Sequence, residues 1–170
     1  MEKQILFLEK QKFTQWWLWL ILLSINFIFL LGVYKQVLMG ETFGSKPMGD
    51  LALLISTGCT LLLSTLIFNI KLQTQVRKDG IYIKFFPFHI SYKFYPWHTI
   101  AKLYLREYSA MKEFGGYGIR QSLNGNDMLF NVSGNKGLQL ELVGKKKVLI
   151  GTSTPDKLVN ALNKIEQLKQ

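Results

Sequence analysis

Hydrophobic and polar positions divide the chain into two unlike stretches. Phe13 to Tyr34 holds no charged residue, and its core reads WWLWLILLSINFIFLLGVY. Leu51 to Ile70 holds none either: LALLISTGCTLLLSTLIFNI. Each run is about 20 residues, which at about 1.5 Å per residue spans the ~30 Å hydrocarbon core of a bilayer. A buried helix of a globular protein is rarely this long and this apolar on all faces. The pattern predicts a membrane hairpin over residues 13–70, with spans at 13–34 and 51–70. The connecting loop, Lys35 to Asp50, carries Gly40, Gly44, Pro47 and Gly49 and reads as turns. The first apolar run is longer than a secretory h-region and no A-x-A-like site follows it, so it reads as a retained anchor. Residues 1–12 read as a polar flank.

From Leu72 the pattern changes to short aromatic and β-branched runs broken by turn residues. Strands are expected at Leu72–Lys78, Ile81–Phe86, Ile90–Tyr95, Ile100–Tyr108, Met128–Val132, Leu138–Leu142 and Lys147–Ile150. Asp79-Gly80 marks a hairpin turn between the first two. Pro87 interrupts the second run and Pro96 ends the third. Ala110 to Asp127 reads as irregular. Thr154 followed by Pro155 announces a helix over Asp156–Leu168, whose apolar face is Leu158, Leu162 and Ile165. The expected domain, residues 71–170, is mainly β: about seven antiparallel strands in a barrel or sandwich, covered by a C-terminal helix.

Charge separates the same two parts. Residues 1–50 carry five lysines and four acidic residues, whereas residues 71–170 carry sixteen Lys/Arg against seven acidic residues. Nearly all of the +10 net charge therefore belongs to the β domain. Lys3, Lys10 and Lys12 precede the first span, and Lys71, Arg77, Lys78 and Lys84 follow the second. Only Lys35 and Lys46 lie between them. By the positive-inside rule both termini face the cytoplasm, in a multi-pass inner-membrane protein. Trp16, Trp17 and Trp19 at one end of the first span and Tyr34 at the other form interfacial belts.

The candidate chemistry is sparse. One cysteine, Cys59, lies in an apolar run, so neither an intrachain disulfide nor a cysteine zinc site can form. No ionisable residue lies inside either span, which argues against a transporter or channel. The glycine run at 115–118 lacks the Gly-Lys-Ser/Thr of a phosphate loop. Two histidines, His89 and His98, do not make a metal site. No nucleophile–base set or carboxylate pair stands out, so no cofactor and no enzymatic activity are expected. Tyr82, Phe85, Tyr92, Phe94 and Tyr104 beside basic residues suit a stacking platform for nucleic acid. As core and cross-strand residues of a membrane-tethered domain they point elsewhere, and no nucleic-acid partner is expected.

Three groups remain as candidate sites. Glu113, Phe114, Gly115, Gly116, Tyr117, Gly118 and Arg120 form a glycine-rich segment that reads as tight packing turns or as a partner-binding loop. Lys145, Lys146 and Lys147 sit in an expected hairpin turn, which reads as a solvated tip or as a contact with anionic lipid. Ser56, Thr60 and Ser64 share one helical face at four-residue spacing, which reads as helix packing within the hairpin or as an assembly interface.

The Asp79-Gly80-Ile81 hairpin, Tyr95-Pro96-Trp97 with Ile100, and the run Glu113 to Arg120 together resemble the pleckstrin-homology-like (PH-like) fold. Asn131 through Gly137 and Leu149-Ile150-Gly151-Thr152 extend the resemblance. With its two spans, the chain looks like the small bacterial PH-domain membrane proteins. The resemblance implies a membrane-anchored interaction module, with the bilayer as one partner and an unidentified protein as another. The phosphoinositide-binding members use a Lys and an Arg-x-Arg around the first hairpin, and here only Arg77, Lys78 and Lys84 stand there. The alternative is a subunit of a membrane complex assembled, with possible oligomers, through the hairpin.

Overall fold

The computed structural model describes residues 4–122, 125 and 127–165. Thr14–Asn69 forms one compact unit, and the chain on either side of it, Met1–Phe13 with Ile70–Gln170, forms the other.

The first unit is the helical hairpin. Helix α1 (Trp16–Gly32) continues through a π-helical segment, Val33–Leu38, so the apolar helix runs 23 residues from Trp16 to Leu38. Helix α2 (Asp50–Asn69) has 20 residues. Both are long and apolar enough to cross a membrane. The first helix starts three residues later than the expected span and ends four later, so the connecting loop is shorter than the hydropathy suggested. Gln36 closes that loop by donating from Nε2 to the Met48 carbonyl (2.6 Å) and to Asp50 Oδ1 (2.7 Å). The facing surfaces are spaced at about one helical turn: Leu22, Asn26, Phe29 and Gly32 are covered on α1, and Leu53, Thr57, Thr60 and Ser64 on α2. The remaining faces expose leucine, isoleucine and phenylalanine, as lipid-facing surfaces do.

Among its described residues the second unit has nine strands in two sheets and a C-terminal helix. Sheet A is β1 (Ile5–Lys12), β2 (Lys71–Arg77), β3 (Gly80–Phe86) and β4 (Lys93–Pro96), in that order and antiparallel throughout. Sheet B contains β5 (Ile100–Glu107), β6 (Gly118–Gln121), β7 (Asp127–Asn131), β8 (Lys136–Leu142) and β9 (Lys147–Gly151), in the order β5-β8-β9-β7-β6. Fully buried Leu72, Ile81, Ile83 and Phe85 of sheet A meet Phe130, Leu138, Leu140 and Ile150 of sheet B. Helix α4 (Pro155–Asn163) adds Leu158 and Leu162 to the same core, with Ile165 packed beside them, which is the face the sequence periodicity predicts.

Several expectations are corrected. Among the described residues the domain has nine strands rather than about seven. The two sheets do not close into a barrel among the described residues, and they are not antiparallel throughout, because β7 and β9 run parallel. Residues 5–12, read as a flank, form strand β1 and pair with β2. The periodicity is there, but at Glu9 and Gln11 the inward positions are polar. Within the segment read as irregular, Ala110–Phe114 forms a short helix, α3, and Gly118–Gln121 forms β6. The third strand begins at Lys93 instead of Ile90, because residues 87–92 form a turn. The last three residues expected of the C-terminal helix, 166–168, lie outside the described residues.

Buried Glu9 and Gln11 tie the two sheets together. Glu9 Oε2 accepts from Thr152 Oγ1 and Glu9 Oε1 accepts from the Ser153 backbone N–H, both at 2.7 Å. Gln11 Nε2 donates to the Gly151 carbonyl at 2.7 Å. A buried donor without an acceptor costs about 1–3 kcal/mol, so the polar inward side of β1 satisfies what an apolar one would leave unpaired.

Candidate functional site

The row Lys12–Lys71–Phe86 crosses sheet A, with Lys12 opposite Lys71 and Lys71 opposite Phe86. The chain departs for α1 just after Lys12 and returns from α2 just before Lys71. The turn 87–92 leaves β3 at the same end of the sheet. That turn displays Phe88 and Ile90, which are 68% and 88% exposed, with Phe86 beside them at 40%. Large apolar side chains this exposed on one short turn of a folded domain mark a surface that meets something apolar.

Beside the turn lies a groove of about 480 Å³, lined by Phe13, Ile70, Phe85, Phe88 and the segment Tyr117 to Arg120. Phe13 and Ile70 are the last and first residues of the β domain at its two covalent junctions with the helices. The structure thus brings the glycine-rich segment, which lies far along the chain from either junction, to the end of the domain where the chain leaves and re-enters.

Within that segment several residues have structural tasks. Ser109 caps α3, its Oγ accepting from the Lys112 N–H, while Glu113 Oε1 accepts from the Ser109 N–H, so each satisfies a donor of the first turn. Glu113 also pairs with Arg106 at 2.8 Å. Burial tends to raise its carboxyl pKa, but the Ser109 N–H and the Arg106 guanidinium outweigh this and hold it below the usual range. Phe114 is buried with Tyr108, Leu129 and Leu149, and Tyr117 packs against that cluster. Gly115 ends α3 in the left-handed region at φ 70°, where glycine carries no steric penalty. Gly116 and Gly118 have φ of 140° and 108°. Arg120 is exposed and donates from Nε to the Tyr117 carbonyl. The segment is therefore a packed structural turn that presents Tyr117 and Arg120 to the groove.

The three turn lysines divide. Lys147 lies 3.1 Å from Glu141, which raises the lysine's pKa and, chiefly through that same contact, lowers the carboxylate's. Lys145 and Lys146 are exposed on the turn itself, Lys145 at φ 63°. This turn and the groove are not adjacent. Strand β6 runs from Gly118 at the groove to Gln121 at a cleft that Lys146 and Lys147 line.

In the hairpin, Ser56, Thr60 and Ser64 are half-buried along one face of α2. Ser64 Oγ accepts from Asn26 Nδ2 of α1 at 2.7 Å, so this face packs inside the hairpin. Asn69 instead donates to the Thr65 carbonyl of its own helix. His89 rests against Phe130, and burial followed by nearby Lys93 lowers its pKa. His98 lies in a short 3-10 turn on the other side of β4. No three metal-binding side chains cluster among the described residues.

A family model described as a family of unknown function, DUF6141, matches residues 1–166. The chain belongs to the DUF6141 family. No curated protein and no solved structure matches it. The DUF6141 match takes in β1, both apolar helices and the β domain through α4. This agrees with the sheet pairing that makes β1 part of the domain.

Sequence reasoning missed the exposed turn. Its residues, Phe86-Pro87-Phe88-His89-Ile90, read as the end of one strand and the start of another. The available signal was the proline within an apolar run, which ends the strand at Phe86 and marks a turn.

Proposed function

We propose that this protein is a membrane-anchored, non-enzymatic interaction module, PH-like in architecture, whose β domain engages the inner-leaflet surface. The carrying observation is that Phe86, Phe88 and Ile90 are exposed at the end of sheet A from which the chain enters and leaves two apolar helices. Exposed apolar side chains on a turn at the two covalent junctions suit contact with the headgroup region and the acyl boundary. Lys12 and Lys71 in the adjacent row suit the phosphates there, each worth about 1 kcal/mol close to an anionic surface. The strand pairing also supports the orientation. Because β1 and β2 are neighbours in one sheet, the segments before α1 and after α2 occupy the same side, and the positive-inside rule makes that side the cytoplasm.

The PH-like reading draws support from two sheets followed by a helix that packs on the core. The parallel β7–β9 pair and the extra strand β1 are departures from a plain antiparallel version. The reading of the hairpin as an assembly interface is weakened, because Asn26 and Ser64 bond within it.

The test uses the full chain with Cys59→Ser, reconstituted in nanodiscs. Phe88→Cys carries an environment-sensitive fluorophore, and Val143→Cys, exposed elsewhere on the domain, is the control. The proposal expects blue-shifted emission at position 88 that lipid-borne nitroxides quench, and neither effect at 143. Identical, water-like emission at both positions overturns it.

A further inference from the structure

We propose that the groove beside the 87–92 turn holds one acyl chain of a bilayer phospholipid, with Arg120 at the headgroup phosphate. The groove, about 480 Å³, has the size of a small-molecule site, about 300–1,000 Å³. Its apolar walls are Phe13 after β1, Ile70 before β2, Phe85 and Phe88 around the end of β3, and Ile119 in β6. A Cβ added to Gly118, which also lines it, would meet no heavy atom within 4 Å, so the protein leaves the space beside that residue open. Among the described residues, Arg120 is the only charged member of the lining.

Arg120 is exposed, and its Nε donates to the Tyr117 carbonyl at 3.2 Å. That bond ties the guanidinium to the backbone of the groove and leaves its terminal nitrogens for a phosphate, the acceptor their fork matches. The ion pairs among the described residues are made by Arg106, Lys136 and Lys147, so no carboxylate among them neutralises Arg120. Apolar walls with one uncompensated cation select an amphiphile. Dissolved phosphate gains nothing from the walls, and a hydrocarbon without a headgroup gains nothing from the guanidinium. Chain connectivity selects the source. Ile70 directly follows α2 and Phe13 stands three residues before Trp16 of α1, so two walls of the groove are tethered within a few residues of helices apolar enough to cross a membrane. Phospholipid is the amphiphile at hand there, whereas a peptide has to arrive by diffusion. A single bound lipid presupposes the membrane-surface reading and narrows it from a leaflet to one molecule.

The test uses the full chain in phosphatidylcholine nanodiscs that carry a trace of lipid with a photoactivatable diazirine on its acyl chain. The probe is phosphatidylglycerol in one arm and diacylglycerol, which lacks the phosphate, in the other, and labelled residues are mapped by mass spectrometry. Phosphatidylglycerol should label residues 117–120 about tenfold more than diacylglycerol, the worth of one charge-assisted bond. Arg120→Gln, at an exposed position, should abolish that difference. Ile119→Trp, which fills the groove, should remove labelling of 117–120 in both arms, while Leu62, exposed on α2, labels as before. Arg120→Gln keeps the test decisive if Ile119→Trp does not fold. Label at Phe88 and Ile90 but not at 117–120 overturns the groove and leaves the surface reading standing. Label at none of these positions overturns both. Equal labelling of 117–120 by the two probes in wild type overturns the role given to Arg120 and with it the phospholipid.

Discussion

Lys12 stands opposite Lys71 in the ladder between β1 and β2, and all of residues 13–70 lies between them along the chain. Two neighbouring strands that a short turn could join are instead joined by a pair of apolar helices. The pair of apolar helices is thus an insertion between the first two strands of sheet A. Both chain crossings emerge from one end of one sheet, beside Phe86, Phe88 and the groove. That placement makes the end of the sheet, more than the net charge, the feature from which function is argued.

Strand β1 should be essential to the fold. Glu9→Ala leaves buried Thr152 Oγ1 and the part-buried Ser153 N–H without their acceptor, at a cost of about 1–3 kcal/mol. Glu9→Gln retains an acceptor oxygen and should cost less. Thermal unfolding of the full chain in detergent gives the ranking. Equal Tm for wild type and Glu9→Ala would show that the latch contributes nothing.

A second prediction concerns the notch that holds Tyr108. Gly137 and Gly151 face each other across β8 and β9, and a Cβ at Gly137 would lie 2.9 Å from the Ile150 carbonyl oxygen and 3.0 Å from the Tyr108 ring. Asn131 donates to the Tyr108 hydroxyl in the same place. Gly137→Ala should therefore destabilise by about 1–3 kcal/mol through overpacking. Gly144→Ala, which meets open space, should be nearly neutral. Chemical denaturation of both variants provides the comparison.

Within the hairpin, Asn26→Leu and Ser64→Ala should each loosen helix packing modestly, and the double variant should be no worse than the stronger single change. The expected coupling is about 0.6 kcal/mol, the usual size for such bonds in membranes. A double-mutant cycle on unfolding in mixed micelles measures it, and strictly additive losses would mean that the bond does not form there.

The domain should also lose stability in alkali. Burial raises both Tyr95 and Tyr108 to about 12, above the ordinary value of 10.0. A raised phenol pKa means the folded state holds its proton while the unfolded state releases it. The associated stability is complete below about pH 10 and is lost as pH rises through 12. Tyr95→Phe should flatten the fall in Tm between those values, and an unchanged alkaline slope would contradict the assignment.

Much of this architecture could be read from residue patterns, and the failures have physical causes. The two spans and the Leu158–Leu162 face were legible because each buries one kind of side chain at one period. β1 was not, since its inward positions Glu9 and Gln11 are polar and bond to Gly151, Thr152 and Ser153, far along the chain. The parallel β7–β9 pair was hidden for a similar reason: strand direction depends on tertiary pairing, while local alternation is the same in both cases. For the site, the glycine run was visible but its position was not. Nothing in Glu113–Arg120 announces that Tyr117 and Arg120 border Phe13 and Ile70.

The central claim is that β1 and the rest of the β domain share one side of a membrane that the hairpin crosses twice. Single cysteines in a Cys59→Ser background test it most directly, at Leu8→Cys in β1, Val143→Cys in the β8–β9 turn and Met48→Cys in the helix connection. A membrane-impermeant maleimide applied to cells with a permeable outer envelope should label position 48 at once, and positions 8 and 143 only after the inner membrane is opened. Labelling of positions 8 and 143 from opposite sides, or of position 48 together with them, would contradict the account.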